Sequence, residues 1–189
     1  IAAFSLLRGG FREISAAENA GGAEEARLED YRGLAGGDCA SLDLSALRLP
    51  GGRAFLAGTD LAAQTASCRE AAAVLERFLP PPRGRTLYIG TGELIYAPLV
   101  CAGYLGGGEF QSTTQSPVLP LPGSAIESGV CFDPPDAYSR AGYLYNVPRG
   151  RYAQAVIFTE KALTRERGLG QLAQYLRRQG MERVTVALL

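Results

Sequence analysis

Between Leu87 and Leu94 an apolar run is interrupted by Gly90-Thr91-Gly92-Glu93, the first residues in the chain whose types and spacing suggest chemistry. Glycine leaves room for a ligand to approach the backbone, and amides gathered where a strand gives way to a helix attract phosphate or carboxylate. Glu93 adds a carboxylate suited to a sugar hydroxyl, a hydrated Mg²⁺ or proton transfer; the plainer alternative is an acid complementing a helix dipole. Farther along, Gln111-Ser112-Thr113-Thr114-Gln115-Ser116 gathers four hydroxyls and two amides without a charge. Such a block can hold phosphate or ribose oxygens, although hydroxyls also crowd ordinary turns. A third cluster, Thr159-Glu160-Lys161-Ala162-Leu163-Thr164, follows the apolar run Ala155 to Phe158. A loop at the carboxyl end of a parallel strand is where open α/β sheets bind ligands.

Several chemistries are excluded or left open by the same residues. A dinucleotide-binding fingerprint requires a third glycine where Ile95 stands, which argues against a nicotinamide enzyme. A methyltransferase-type glycine loop fits Ile89-Gly90-Thr91-Gly92, with Tyr88 where such loops often carry aspartate, and so does a turn that needs glycine only for its backbone angles. The chain has no histidine, so a Ser-His-Asp triad, a histidine base and most transition-metal sites are ruled out. Any resident metal would be a hard ion held by oxygen. Cys39, Cys68, Cys101 and Cys131 lack the paired spacing of a zinc site and read as buried apolar residues, with a reactive thiol as the alternative. Lys plus Arg and Asp plus Glu both number 19, which offers no basic footprint for nucleic acid and points to a small ligand. No apolar stretch suits a bilayer and nothing at the start resembles a signal peptide, so the expectation is a cytoplasmic protein without a membrane partner.

Elements must bring these clusters together. At 189 residues the chain allows one good core. Residues 1 to 53 carry weak patterns, including a short helix expected over Ala23 to Leu34, and read as a cover or hood; residues 54 to 189 read as the α/β core. Ala54 to Ala57 reads as a strand, followed by a helix capped at Thr59 or Asp60, with Leu61, Cys68, Ala71, Ala72, Leu75 and Phe78 on its apolar face. Leu99 to Leu105 is apolar nearly all round, as in a helix covered on both sides, and Pro98 fits its first turn. Asp133 and Asp136 bracket two prolines, as metal ligands or as turn formers. Tyr138, Tyr143 and Tyr145 could stack on a base or sit half-buried on a sheet. Ala155 to Phe158, Leu169 to Arg178 and Val184 to Leu188 make a strand-helix-strand unit with Gly180 as the helix stop.

Val156 to Thr164 and the strand at Val184 to Ala187 resemble the sugar-diphosphate loop, helix and following strand of type I phosphoribosyltransferases. Thr159-Glu160 stands where those enzymes carry two acids, and Gly90 to Glu93 matches their pyrophosphate loop. A closer resemblance is to the bacterial TRSP domain family, through Gly90-Thr91-Gly92-Glu93 followed by Thr114-Gln115-Ser116-Pro117, which has glutamine where the family motif has arginine. The resemblance covers roughly residues 85 to 189. It implies a three-layer α/β domain with a mainly parallel, phosphoribosyltransferase-like (Rossmann-like) sheet. It also implies a phosphorylated sugar or nucleotide as ligand, a phosphoribosyltransferase domain or subunit as partner, and a part in making a nucleoside-like metabolite in tellurium-resistance and stress gene clusters. The site would comprise Gly90, Thr91, Gly92, Ser112, Thr113, Thr114, Ser116, Lys161 and Thr164 around phosphate or nucleotide, with Glu93 and Glu160 on ribose or Mg²⁺. With Gln115 in place of arginine, phosphate charge falls to Lys161, Arg165 or a metal. A phosphoribosyltransferase-like enzyme and a non-catalytic nucleotide-binding partner both fit.

Overall fold

The apolar runs around Ile89, Ile157 and Val186 form the centre of a parallel sheet in the computed structural model, which describes residues 26–27, 39–49, 58–81, 83–92, 94–137 and 139–189. In chain order the elements are strands β1 (Ala26–Arg27) and β2 (Ala40–Asp43), helix α1 (Gly58–Phe78), strand β3 (Thr86–Gly90), helix α2 (Tyr96–Tyr104), strands β4 (Glu109–Ser112), β5 (Gly129–Phe132), β6 (Gly142–Tyr145) and β7 (Gln154–Thr159), helix α3 (Glu166–Arg178) and strand β8 (Arg183–Leu188). Single 3-10 turns occur at Ser45–Leu47 and Lys161–Leu163. The main sheet has the order β2-β8-β7-β3-β4, and every neighbouring pair is parallel. A second, small sheet has the order β1-β5-β6, with β5 and β6 antiparallel. The expected α/β class with a mostly parallel sheet is therefore observed.

Alternation along the strands builds two cores. Leu87, Ile89, Ala155, Ile157, Val184 and Val186 pack with Leu169, Leu172, Ala173 and Leu176 of α3 and with Val130, Phe132 and Leu144 of the small sheet. Tyr88, Val156, Phe158 and Ala187 pack on the opposite face with Cys68, Ala71, Ala72 and Leu75 of α1 and with Ala97, Cys101 and Ala102 of α2. β3 and β7 are buried along their whole length, as expected for strands covered on both faces. The result is three layers: α1 and α2, the parallel sheet, then α3 with the small sheet. α3 ends as expected at Gly180, whose φ of +98° suits glycine, with Arg177 and Arg178 in its last turn.

Several expectations need correction. Leu61 and Phe78, near the two ends of α1, are exposed, because the buried stripe spans only Cys68 to Leu75. α2 is covered on one side: Ala97, Pro98, Cys101 and Ala102 are buried, but Leu99 and Tyr104 are half exposed, since α2 packs on α1, β3 and β4 and its outer face is left uncovered among the described residues. Of the helix expected over Ala23 to Leu34, Ala26–Arg27 form a strand paired in parallel with β5; the rest lies outside the described residues. Also outside them lie most of the expected cover, the strand expected at Ala54 to Ala57, Glu93 and Tyr138. Within 1–53, β2 serves as an edge strand of the main sheet, pairing Ala40 to Asp43 with Thr185 to Leu188. Among the described residues no helix is long and apolar enough to cross a membrane.

Candidate functional site

The ladder between strands does not stop where β3 and β4 end. Thr91 N–H donates to the Phe158 carbonyl at 3.0 Å, and Thr113 N–H donates to the Gly90 carbonyl at 2.9 Å. These bonds carry the glycine turn and the hydroxyl block to the same carboxyl edge of the sheet. Side chains then lock the turns together: Gly92 N–H donates to Thr113 Oγ1 at 2.8 Å, and Thr91 Oγ1 donates to Thr159 Oγ1 at 3.1 Å. Thr91, Thr113 and Thr159 are all buried, so three threonines at the carboxyl ends of β3, β4 and β7 form one seam beneath the edge.

Both glycines of the turn are explained by the chain itself. A Cβ on Gly90 would lie 1.8 Å from the Leu94 carbonyl oxygen, because the turn closes back through Leu94 N–H donating to the Thr91 carbonyl. Gly92 has a φ of +59°, and a Cβ there would meet Asp136 Oδ2 at 2.9 Å. The amides of Thr91 and Gly92 are spent on Phe158 and Thr113 rather than left open at the edge.

Two loops form the rim above the seam. Residues 133–137 are stitched to the loop 160–165 by a bridge between Asp136 and Thr164, by Ala137 N–H to the Leu163 carbonyl (2.8 Å) and by Arg165 N–H to the Pro135 carbonyl (2.9 Å). The buried Asp136 carboxylate accepts from Ser139 N–H at 2.9 Å and from Ser139 Oγ at 2.8 Å. Asp133 accepts from Arg167 at 2.6 Å and from Gln171 Nε2 at 3.2 Å, while its own N–H donates to Gln171 Oε1. Gly168 makes the docking possible, since a Cβ there would lie 2.3 Å from the Asp133 carbonyl oxygen. Of the two uses open to this Asp-Pro-Pro-Asp segment, the structure shows turn formation and loop anchoring.

The other expected residues are distributed around this rim. Glu160 and Thr164 are half buried, and Thr164 Oγ1 donates to the Glu160 carbonyl at 3.0 Å. Lys161 is exposed and pairs with Asp43 at 2.5 Å; that contact, with further bonds from Ser45, holds the Asp43 carboxyl well below the usual carboxylate range. Ser112 ends the edge strand β4, and Thr114 exchanges both backbone bonds with Tyr143, joining the two sheets. Ser116 lies away from the seam: it is exposed, and its carbonyl accepts from the Tyr145 hydroxyl at 3.2 Å. Tyr143 and Tyr145 are half-buried neighbours on β6 with parallel rings 6.2 Å apart. Among the described residues no three acidic or cysteine side chains converge to hold a metal ion. Sequence reasoning placed Thr159 in the third cluster without giving its hydroxyl a role, and it missed the Asp136–Ser139 pair. Thr159 was legible as a hydroxyl at a strand's carboxyl end, whereas the approach of Asp136 to Gly92 spans more than forty residues of chain and had no local signal.

Residues 50–176 match the family described as TRSP domain, C terminus to PRTase_2. No curated protein matches the chain.

Proposed function

The chain belongs to the TRSP domain family, and we propose that it binds a phosphorylated sugar or nucleotide at the carboxyl edge of its parallel sheet, working beside a phosphoribosyltransferase domain or subunit. The observation that carries this reading is the convergence of the Thr91-Gly92 turn, Thr113, Thr159 and the 160–165 loop on one edge, the position at which open α/β sheets take ligands. Because the turn's amides are engaged internally, side chains do the recognising. Lys161 and Arg165 supply charge to phosphate in place of the family arginine, with Ser112, Thr114 and Thr164 as hydroxyl partners. Glu160 and Glu93 are the carboxylates for ribose hydroxyls. Mg²⁺ enters as a companion of the diphosphate, since one or two carboxylates and substrate oxygens suffice for it. Transfer of phosphoribose requires positioning and stabilisation of a sugar cation, for which the missing histidine is no obstacle. The product would be a nucleoside-like metabolite, in the tellurium-resistance and stress setting that the family resemblance implies.

A second reading, a non-catalytic nucleotide-binding partner subunit, is favoured by one observation: Asp136 already brings a carboxylate against Gly92, where a transferase would place its pyrophosphate. Calorimetry with 5-phosphoribosyl diphosphate and nucleoside monophosphates, with and without Mg²⁺, tests binding, and a pyrophosphate-release assay with a panel of bases tests turnover. Binding with release supports the enzyme and binding without release the partner subunit. Lys161→Ala and Glu160→Gln should each weaken binding about tenfold, the scale of one charge-assisted hydrogen bond. Affinity unchanged in both variants, or no binding by the parent protein, would refute the proposal.

A further inference from the structure

Opposite the carboxyl edge, where β3, β4 and β7 begin, a cavity of about 700 Å³ opens between the sheet and the ends of α1 and α2. It falls within the range of small-molecule sites. Its base holds two buried polar side chains, Thr86 and Gln154, with Gln154 Nε2 donating to Thr86 Oγ1 at 2.9 Å. That bond fixes the amide, and among the described residues Gln154 Oε1 has no hydrogen-bond partner. Leu79, Pro80 and Leu105 supply apolar wall. Gly106 and Gly107 line the opening with φ of +83° and +91°, and a Cβ on either would meet nothing within 4 Å, so the protein leaves that space unused.

Charge and hydrogen-bonding capacity narrow the ligand. Glu76 stands at the rim in the last turns of α1, and both helices end here, bringing the negative ends of their dipoles. Glu109 and Arg85 also line the cavity, and Glu109 is clasped by Arg85 and Arg151. Two cations thus balance Glu76 and Glu109, which disfavours a charged ligand, while Gln154 Oε1 and the Glu76 carboxylate offer acceptors. A flat, uncharged molecule that presents N–H donors satisfies both conditions.

We propose that this cavity binds an amino-bearing heterocyclic base, free or as its nucleoside, whose amino group donates to Gln154 Oε1 while the ring lies against Leu79, Pro80 and Leu105. The site is separate from the carboxyl edge and stands or falls without it. Calorimetry on the full chain with adenosine and cytidine, against inosine and uridine, provides the test, repeated in saturating inorganic diphosphate to occupy the opposite edge. Adenosine or cytidine should bind at least tenfold more tightly than its carbonyl-bearing counterpart, unaffected by diphosphate. Gln154→Leu should cost about tenfold, roughly one hydrogen bond. Glu76→Lys, an exposed change that spares the core, should weaken binding as well. The proposal is overturned if neither amino nucleoside binds at millimolar concentration, if the carbonyl nucleosides bind equally, if diphosphate competes, or if both variants bind like the parent.

Discussion

Replacing Gly90 by alanine separates two explanations of the glycine turn. The new Cβ would lie 1.8 Å from the Leu94 carbonyl oxygen and 3.3 Å from Pro98 Cγ. Restoring ordinary van der Waals separation requires the turn to retreat by about 1.5 Å. That movement strains the bond from Leu94 N–H to the Thr91 carbonyl and disturbs Leu94 and Ala97, both buried. Because the obstacle is backbone, the cost belongs at the upper end of the overpacking range, about 3 kcal/mol, offset by roughly 0.4–1 kcal/mol from the reduced freedom of the unfolded chain. A net loss of about 2–3 kcal/mol corresponds to a Tm lower by roughly 4–12 °C at this chain length. Gly103→Ala is the matched control: Gly103 is exposed in α2 and a Cβ there meets nothing within 4 Å, so the same substitution should stabilise by about 0.5–1 kcal/mol. Thermal and urea unfolding followed by circular dichroism would measure both. A Gly90→Ala protein as stable as the parent, with ligand affinity alone reduced, would mean that a ligand rather than the Leu94 carbonyl demands glycine here.

Further outcomes follow from the same contacts. Thr113→Val removes the acceptor of Gly92 N–H and should cost about 1–3 kcal/mol in urea unfolding, while Thr113→Ser keeps the oxygen and should recover most of it. Leu172→Ala, deep between α3 and the sheet, should cost about 2–5 kcal/mol in the same measurement. Arg151, then Tyr152 and Arg85, hold the Glu109 carboxyl down to about 2 from an ordinary 4.5, so its stabilising contribution is full above pH 4.5 and is lost as pH falls from there towards about 2. Glu109→Gln should flatten the Tm profile across that interval, and added salt should shrink the difference because the cluster is partly exposed. Cys68 and Cys101 are fully buried where α1 meets α2, and the neighbouring Cys68 thiol together with burial pushes the Cys101 thiol up. Both should resist thiol reagents in the folded protein and react once urea unfolds it; rapid labelling of either in the native state would contradict the packing described.

Local pattern was enough for much of the scaffold. Continuous apolar runs at Leu87 to Ile89 and Ala155 to Phe158 can be buried only between two layers, and the inward stripe Leu169, Leu172, Ala173, Leu176 can serve only a helix on a sheet, so the parallel α/β core was legible from residue order. The register past the strand ends was not. Which hydroxyl meets which amide depends on how β4 and β7 align against β3, and that alignment placed Thr113 on Gly92 and Thr159 on Thr91. A glycine in a sequence also looks the same whether a ligand or the chain's own backbone needs the space. Only the folded turn revealed that the Leu94 carbonyl lies against Gly90 and the Asp136 carboxylate against Gly92, because both approaches arise from through-space packing, and for Asp136 across a long separation in the chain.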